Sequence, residues 1–189
     1  MTYKTRTYPQ FAACGLNCGL CPRYYTAGSS RCPGCAGEGF SEVHPACGIL
    51  SCCERKNLAY CFECDEFPCK KYDNTDLTDS FITHKNQFAD MEKAKRIGMD
   101  AYKTELDEKV KILELLLANY DDGRHKSFFC IAVNLLDLKD IRAVMERVAA
   151  IEAETPIKEK AKAAAVIFKE VALQQEIPLK LRNSSRQRP

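Results

Sequence analysis

Eleven of the twelve cysteines lie in one stretch, at positions 14, 18, 21, 32, 35, 47, 52, 53, 61, 64 and 69. They come as short clusters, C-GLN-C-GL-C-P, C-PG-C, C-GILS-CC and C-FE-C-DEFP-C, separated by loops that carry Gly and Pro. The stretch is poor in Leu, Ile and Val, so it cannot bury a core of ordinary size and needs cross-links or metal to fold. The first residues, MTYKTRTYPQF, lack the apolar run of a secretion signal, and no segment has the apolar length needed to span a bilayer. The expectation is a cytoplasmic protein with no membrane contact. In a reducing compartment such cysteines read as metal ligands rather than as a disulfide framework.

The spacing narrows the metal. Cys32-Pro33-Gly34-Cys35 is a two-residue knuckle in which Pro presets φ and Gly permits a left-handed turn, so both sulfurs can meet one tetrahedral ion. Cys61-Phe62-Glu63-Cys64 repeats the step, and Cys69 follows Pro68. Neighbours in extended chain point opposite ways, so Cys52 and Cys53 are expected to serve different sites, or one is buried. The eleven thiols with His44, three residues before Cys47, make twelve candidate ligands, enough for three closed zinc sites; two sites with spare thiols fit equally. Cys14, Cys18 and Cys21 have a second reading, since this spacing also holds a [4Fe–4S] cluster when a remote cysteine completes it. In radical S-adenosylmethionine enzymes that spacing comes with a (β/α) barrel, and the alternating strands and helices of a barrel are absent downstream. A storage or sensing role, with labile spare thiols, is a third reading.

Charge argues against a nucleic-acid reader. The net charge is +2, and residues 1–74 carry 8 basic against 7 acidic side chains. Thiolates on three divalent ions would leave 14–69 strongly negative, which repels phosphate. Lys180, Arg182, Arg186 and Arg188 make a basic tail suited at most to weak contacts.

After Cys69 and a polar junction through Thr75, the periodicity becomes helical. Phe81, His84, Phe88 and Met91 predict a helix over 79–98, with His84 a packing residue. Val110, Ile112, Leu113, Leu116 and Leu117 predict one over 100–119, stopped at Asp121-Asp122-Gly123. Ser127 is expected to cap a short helix to about 136. Cys130 would lie in its first turn, either as a reactive thiol or, as the residues beside it favour, as a small core residue. Asp137 then caps a helix with Ile141, Val144, Val148 and Ile151 inward, and a last one runs over 156–177 with Ala161, Ala164, Phe168 and Val171 inward.

The segments ACGLNCGLCPRYY, CPGC, CFECDEFPCKKY, FITHKNQFADMEKAKRIG and LLANYDDGRHKSFFCIAVNLL together resemble the cysteine-rich bacterial and archaeal proteins grouped as domain of unknown function 3795. The resemblance covers about residues 13–136 and implies a metal binder, usually presumed to hold zinc, with no catalytic residue to carry over.

The fold expected is α plus irregular: a small cysteine-rich, metal-stabilised domain over 1–74 packed on an all-α bundle of four to five helices over 75–182, with a basic tail at 183–189. The function expected is a zinc-binding protein with two or three structural ions and a helical interaction domain, its partner an unknown protein or small molecule. Closed sites leave no open coordination position, which argues against an enzyme. The alternative is an iron–sulfur redox or sulfur-handling protein.

Overall fold

A computed structural model describes residues 3–73 and 77–182; the end of the polar junction, with Asn74 and Thr75, and the tail residues 183–189 lie outside it. Among the described residues there is no strand. The cysteine-rich part is built from 3-10 turns at Cys18–Leu20, Pro22–Tyr25, Gly28–Ser30, Cys61–Glu63 and Lys70–Tyr72, with two short helices, α1 (Phe40–Val43) and α2 (Gly48–Arg55). Longer helices follow: α3 (Gln87–Ile97), α4 (Met99–Asn119), α5 (Lys126–Leu135), α6 (Leu138–Ala149) and α7 (Ile157–Gln174). Irregular cysteine-rich chain followed by a helical region is the fold class that the sequence predicts. No helix among the described residues is long and apolar enough to cross a membrane.

The chain divides into two compact units, one of residues 1–104 with 181–189, the other of residues 105–180. The boundary falls inside α4.

In the first unit, aromatic residues make up for the shortage of aliphatic ones. Phe11 is fully buried and its ring lies 4.7 Å from Tyr102 and 5.4 Å from Tyr60. Tyr72, Phe67 and Phe88 form a second group, with Tyr72 and Phe88 at 5.2 Å. Buried Asn17 donates to Asp90 Oδ2 at 2.9 Å and accepts from the Tyr102 hydroxyl at 2.9 Å. Gly15 has φ +87°, and a Cβ there would collide with the buried Met91 side chain.

Before α3 the predicted helix does not form. Residues 79–86 are a loop, because the buried Asp79 carboxylate is occupied by long-range partners: it accepts from the Arg182 backbone N–H at 2.8 Å and from its guanidinium at 2.9 and 3.1 Å. Asp79 also accepts the His84 N–H at 2.8 Å, and its own N–H donates to the Arg182 carbonyl. Phe81 is consequently exposed, with the Arg23 guanidinium 5.0 Å from its ring centre.

The second unit follows the predicted helical faces closely. Leu113, Leu116, Phe129, Val133, Ile141, Val144, Val148, Ala161, Ala164 and Phe168 are fully buried. The Lys109 ammonium is buried and donates to the Leu136 carbonyl at 2.7 Å, meeting the open carbonyl end of α5. Helix α5 begins one residue ahead of Ser127, with His125 at its N-cap, since the turn before it is already organised by the carboxylates of Asp121 and Asp122. Cys130 is buried in this core at 1 % exposure.

Candidate metal centre

All twelve cysteines are free thiols. The segment before the first of them, 6–13, is the scaffold that gathers them. The Pro9 carbonyl accepts the Cys35 N–H at 2.9 Å, the Gln10 carbonyl the Gly19 N–H at 2.9 Å, and the Ala13 carbonyl the Cys61 N–H at 2.8 Å. Three cysteine segments are thus tied to one short run of main chain. The knuckle of Cys32 and Cys35 depends on Gly34, which has φ +87° and places its Cα against the Pro9 carbonyl; a Cβ would lie 2.5 Å from that oxygen. A further bond, from the Cys32 N–H to the Arg23 carbonyl at 2.9 Å, joins the knuckle to the CxxxCxxC run.

The thiols fall into two electrostatic groups. In the first, burial pushes the Cys18 thiol well above its usual range, and Cys35, Cys14, Cys21 and Cys32 push it further, so five sulfurs share one neighbourhood. Cys14 is pushed up to about 12, first by burial and then by Cys35; Cys47 adds to this from the edge of the group. Burial also raises Cys21 and Cys35. Main-chain amides act in the opposite sense: Leu16 N–H on Cys14, Arg23 and Tyr24 N–H on Cys21, and Ala13 N–H on Cys35.

In the second group burial and then Cys61 push Cys53 up to about 12, and Cys52 contributes. Cys61 is raised by burial, lowered by the Tyr72 hydroxyl and by Cys53, and raised by Cys69 and Cys64. The Lys56 ammonium lies 3.2 Å from Cys64 Sγ and 3.1 Å from Glu66. Arg6 acts on both groups, lowering Cys35 in one and Cys53 in the other.

Cys47 caps α2, its sulfur accepting the Leu50 N–H at 3.5 Å. Cys52 and Cys53 are successive residues of α2, the first half-buried and the second buried, so they diverge because of helical rather than extended geometry. His44 stacks on Phe40 with ring centres 4.5 Å apart, and its Nδ1 lies 2.8 Å from the Pro45 carbonyl. Gln87, at the start of α3, donates to the Cys14 carbonyl at 2.7 Å while its buried Oε1 has no partner.

The donors that could hold a cation are therefore Cys14, Cys18, Cys21, Cys32 and Cys35 in one group, with Cys47 acting on Cys14 and Cys35, and Cys53, Cys61, Cys64 and Cys69 in the other, with Cys52 acting on Cys53. Among the described residues, the group whose three donor atoms all lie within 4.8 Å of one another is Asp121, Asp122 and His125 rather than any trio of thiols. Those side chains have work of their own in the turn before α5: Asp121 accepts two N–H groups, and Asp122, 2.8 Å from His125 Nδ1, is held below the usual carboxylate range by that ring.

Sequence reasoning missed Arg6, Lys56 and Tyr72. Each is an ordinary surface-type or aromatic residue by composition, and only chain tracing brings it to a sulfur.

Residues 10–74 match the family model described as a protein of unknown function (DUF3795). The helical segments that share the resemblance in sequence lie beyond the matched residues. No curated protein and no solved structure matches the chain.

Proposed function

We propose that residues 14–69 form a zinc-binding module in which thiolate-held ions take the part of a hydrophobic core, and that the helices after it serve as an interaction domain for a protein or small-molecule partner. The observation that carries this reading is the gathering of the Cys14–Cys21 run, the Cys32–Cys35 knuckle and Cys61 on the carbonyls of Pro9, Gln10 and Ala13. Several thiolates together at a half-buried place repel one another unless a cation joins them, and a bound metal ion deprotonates its thiols outright.

The donor chemistry fits zinc, and two groups favour two ions over three. One ion would draw on Cys14, Cys18, Cys21, Cys32 and Cys35, the other on Cys53, Cys61, Cys64 and Cys69. Four thiolates on each would close both sites, a structural rather than catalytic arrangement. His44 is left out of the ligand set because it is exposed and its ring is stacked on Phe40, and, among the described residues, none of the thiol interactions of either group involves it. Cys47 and Cys52 remain as spare thiols at the edges. A tetrahedral site with Zn–S bonds of about 2.3 Å draws its sulfurs to roughly 3.8 Å apart, so loading would tighten both groups.

The second reading is a [4Fe–4S] cluster on Cys14, Cys18 and Cys21. What favours it is that Cys18 has both Cys32 and Cys35 as neighbours, so a remote fourth ligand is at hand.

Metal and acid-labile sulfide content, with an absorption spectrum, on protein purified without oxygen or added metal separates the two. Two zinc per colourless chain is the expected result, and the double variants Cys18→Ser with Cys35→Ser and Cys61→Ser with Cys64→Ser, which leave fewer than four of the named donors in the group they alter, are each expected to lose one of the two. Iron with matching sulfide and a brown colour refutes the zinc reading in favour of the cluster; a chain with neither metal refutes both.

A further inference from the structure

A cavity of about 700 Å³ opens in the first unit, in the size range of small-molecule sites. Its wall comes from the N-terminal segment 4–8, the end of α2 with the loop after it, and Lys103 of α4. Three of the lining residues are cationic, Lys4, Arg6 and Lys103, against the single carboxylate of Glu54. That carboxylate is tied to the main chain, accepting the Lys4 N–H at 2.7 Å.

The cations lack matching anions. Arg6 donates from Nη1 to the Ala59 carbonyl and from Nη2 to the Phe11 carbonyl at 3.3 Å, and its guanidinium lies 4.7 Å from the Tyr60 ring centre. Among the described residues Arg6 has no carboxylate partner, and the Lys4 ammonium has no partner. Lys103 has only the exposed Asp100, at 3.5 Å, with the Tyr8 ring beneath its ammonium at 5.6 Å. A guanidinium held in place by neutral carbonyls keeps most of its charge available, and charge-assisted bonds to a phosphate or carboxylate are about twice as strong as neutral ones. Leu50, Leu58, Tyr8 and Tyr60 give the wall an apolar and aromatic part, beside the neutral polar Thr5, Thr7 and Asn57 and the thiol of Cys53.

We propose that this cavity binds a small phosphorylated molecule with a planar ring, its phosphate held by Lys4, Arg6 and Lys103 and its ring laid against the tyrosine and leucine side. Three lining cations less the one lining carboxylate leave two positive charges, offset from outside the cavity, among the described residues, only by the exposed Asp100 at Lys103, and a phosphate monoester dianion matches that excess better than a single carboxylate does. The cavity is far larger than a bare phosphate fills, and its aromatic side would be left wet by one. Cys53 lines the cavity and Arg6 acts on Cys35 and Cys53, so the site borders the thiol groups, although the proposed contacts to phosphate use no sulfur.

Calorimetric titration of the full-length protein as purified, at low ionic strength, tests it with three probes: phenyl phosphate, inorganic phosphate and benzoate. Phenyl phosphate is expected to bind saturably with a dissociation constant below about 1 mM, at least about tenfold tighter than either of the other two. The double variant Lys4→Met with Lys103→Met is expected to weaken phenyl phosphate by about tenfold or more with an unchanged circular dichroism spectrum. Arg6→Lys, which keeps the charge and loses the fork, is expected to weaken it as well. An absence of saturable binding to phenyl phosphate at about 10 mM, equal affinity for benzoate, or an unaltered affinity in the folded double variant overturns the proposal.

Discussion

Replacing Gly34 with alanine isolates the contact that positions the Cys32–Cys35 knuckle. Two costs add. The residue has φ +87°, and holding an alanine in the left-handed region costs about 1–2 kcal/mol. The new Cβ would also lie 2.5 Å from the Pro9 carbonyl oxygen, so the main chain must separate by several tenths of an ångström. That carbonyl is the acceptor for the Cys35 N–H, and stretching the bond forfeits about 1 kcal/mol, with about 1–3 kcal/mol more for overpacking. Gly28→Ala is the matched control: Gly28 has φ +76° but nothing within 4 Å of its added Cβ, so only the first cost applies. Gly34→Ala is therefore expected to lose about 3–6 kcal/mol against about 1–2 kcal/mol for Gly28→Ala, a large share of the total stability of an ordinary domain. Urea unfolding followed by tyrosine fluorescence reads the difference, and metal content of the same samples should drop in the first variant alone. Equal unfolding midpoints in the two variants would refute the reasoning, because the Pro9 carbonyl would then have moved aside at no cost.

Asp79→Asn is expected to destabilise by about 1–3 kcal/mol at neutral pH, since the Arg182 guanidinium loses its charged acceptor. Burial alone would raise the Asp79 carboxyl, yet the bonds from Arg182 and His84 outweigh it and hold the group below its ordinary range. The sign follows: the wild-type advantage is complete above the unfolded value of about 3.9 and is lost as pH falls below it through the lowered folded value. A pH series of unfolding midpoints for both proteins checks this, and an advantage that persists unchanged at about pH 2 contradicts it. Cys130, at 1 % exposure, should resist iodoacetamide in the folded protein until denaturant is added, read by peptide mass mapping; early labelling would remove it from the core.

How much was legible depended on the range of the interactions. The faces of α4, α6 and α7 could be read because Val110, Leu113, Ile141, Val144 and Phe168 repeat at helical spacing and pack as that repeat demands. The loop over residues 79–86 could not, because its cause is a partner 103 residues away. The knuckle at Cys32 was legible from Pro33 and Gly34, although the need for Gly34 involves Pro9 as well as the turn. The division of thiols into two groups was not, since cysteine spacing sets which sulfurs can be neighbours and the carbonyls of Pro9, Gln10 and Ala13 decide which are. Residues 6–13 lie outside every cysteine motif; their importance lies in main-chain acceptors, which no side-chain pattern encodes.

The clamp between Asp79 and Arg182 has a consequence in time. A ribosome adds roughly 5–20 residues per second, so Arg182 emerges about 5–20 seconds after Asp79. Every thiol of residues 14–69 has left the ribosome before the segment that completes their unit exists. The order of synthesis therefore exposes the cysteine-rich chain to cellular metal and oxidant first and fastens it last, and a chain truncated before Leu181 would present the same thiols without their final tie.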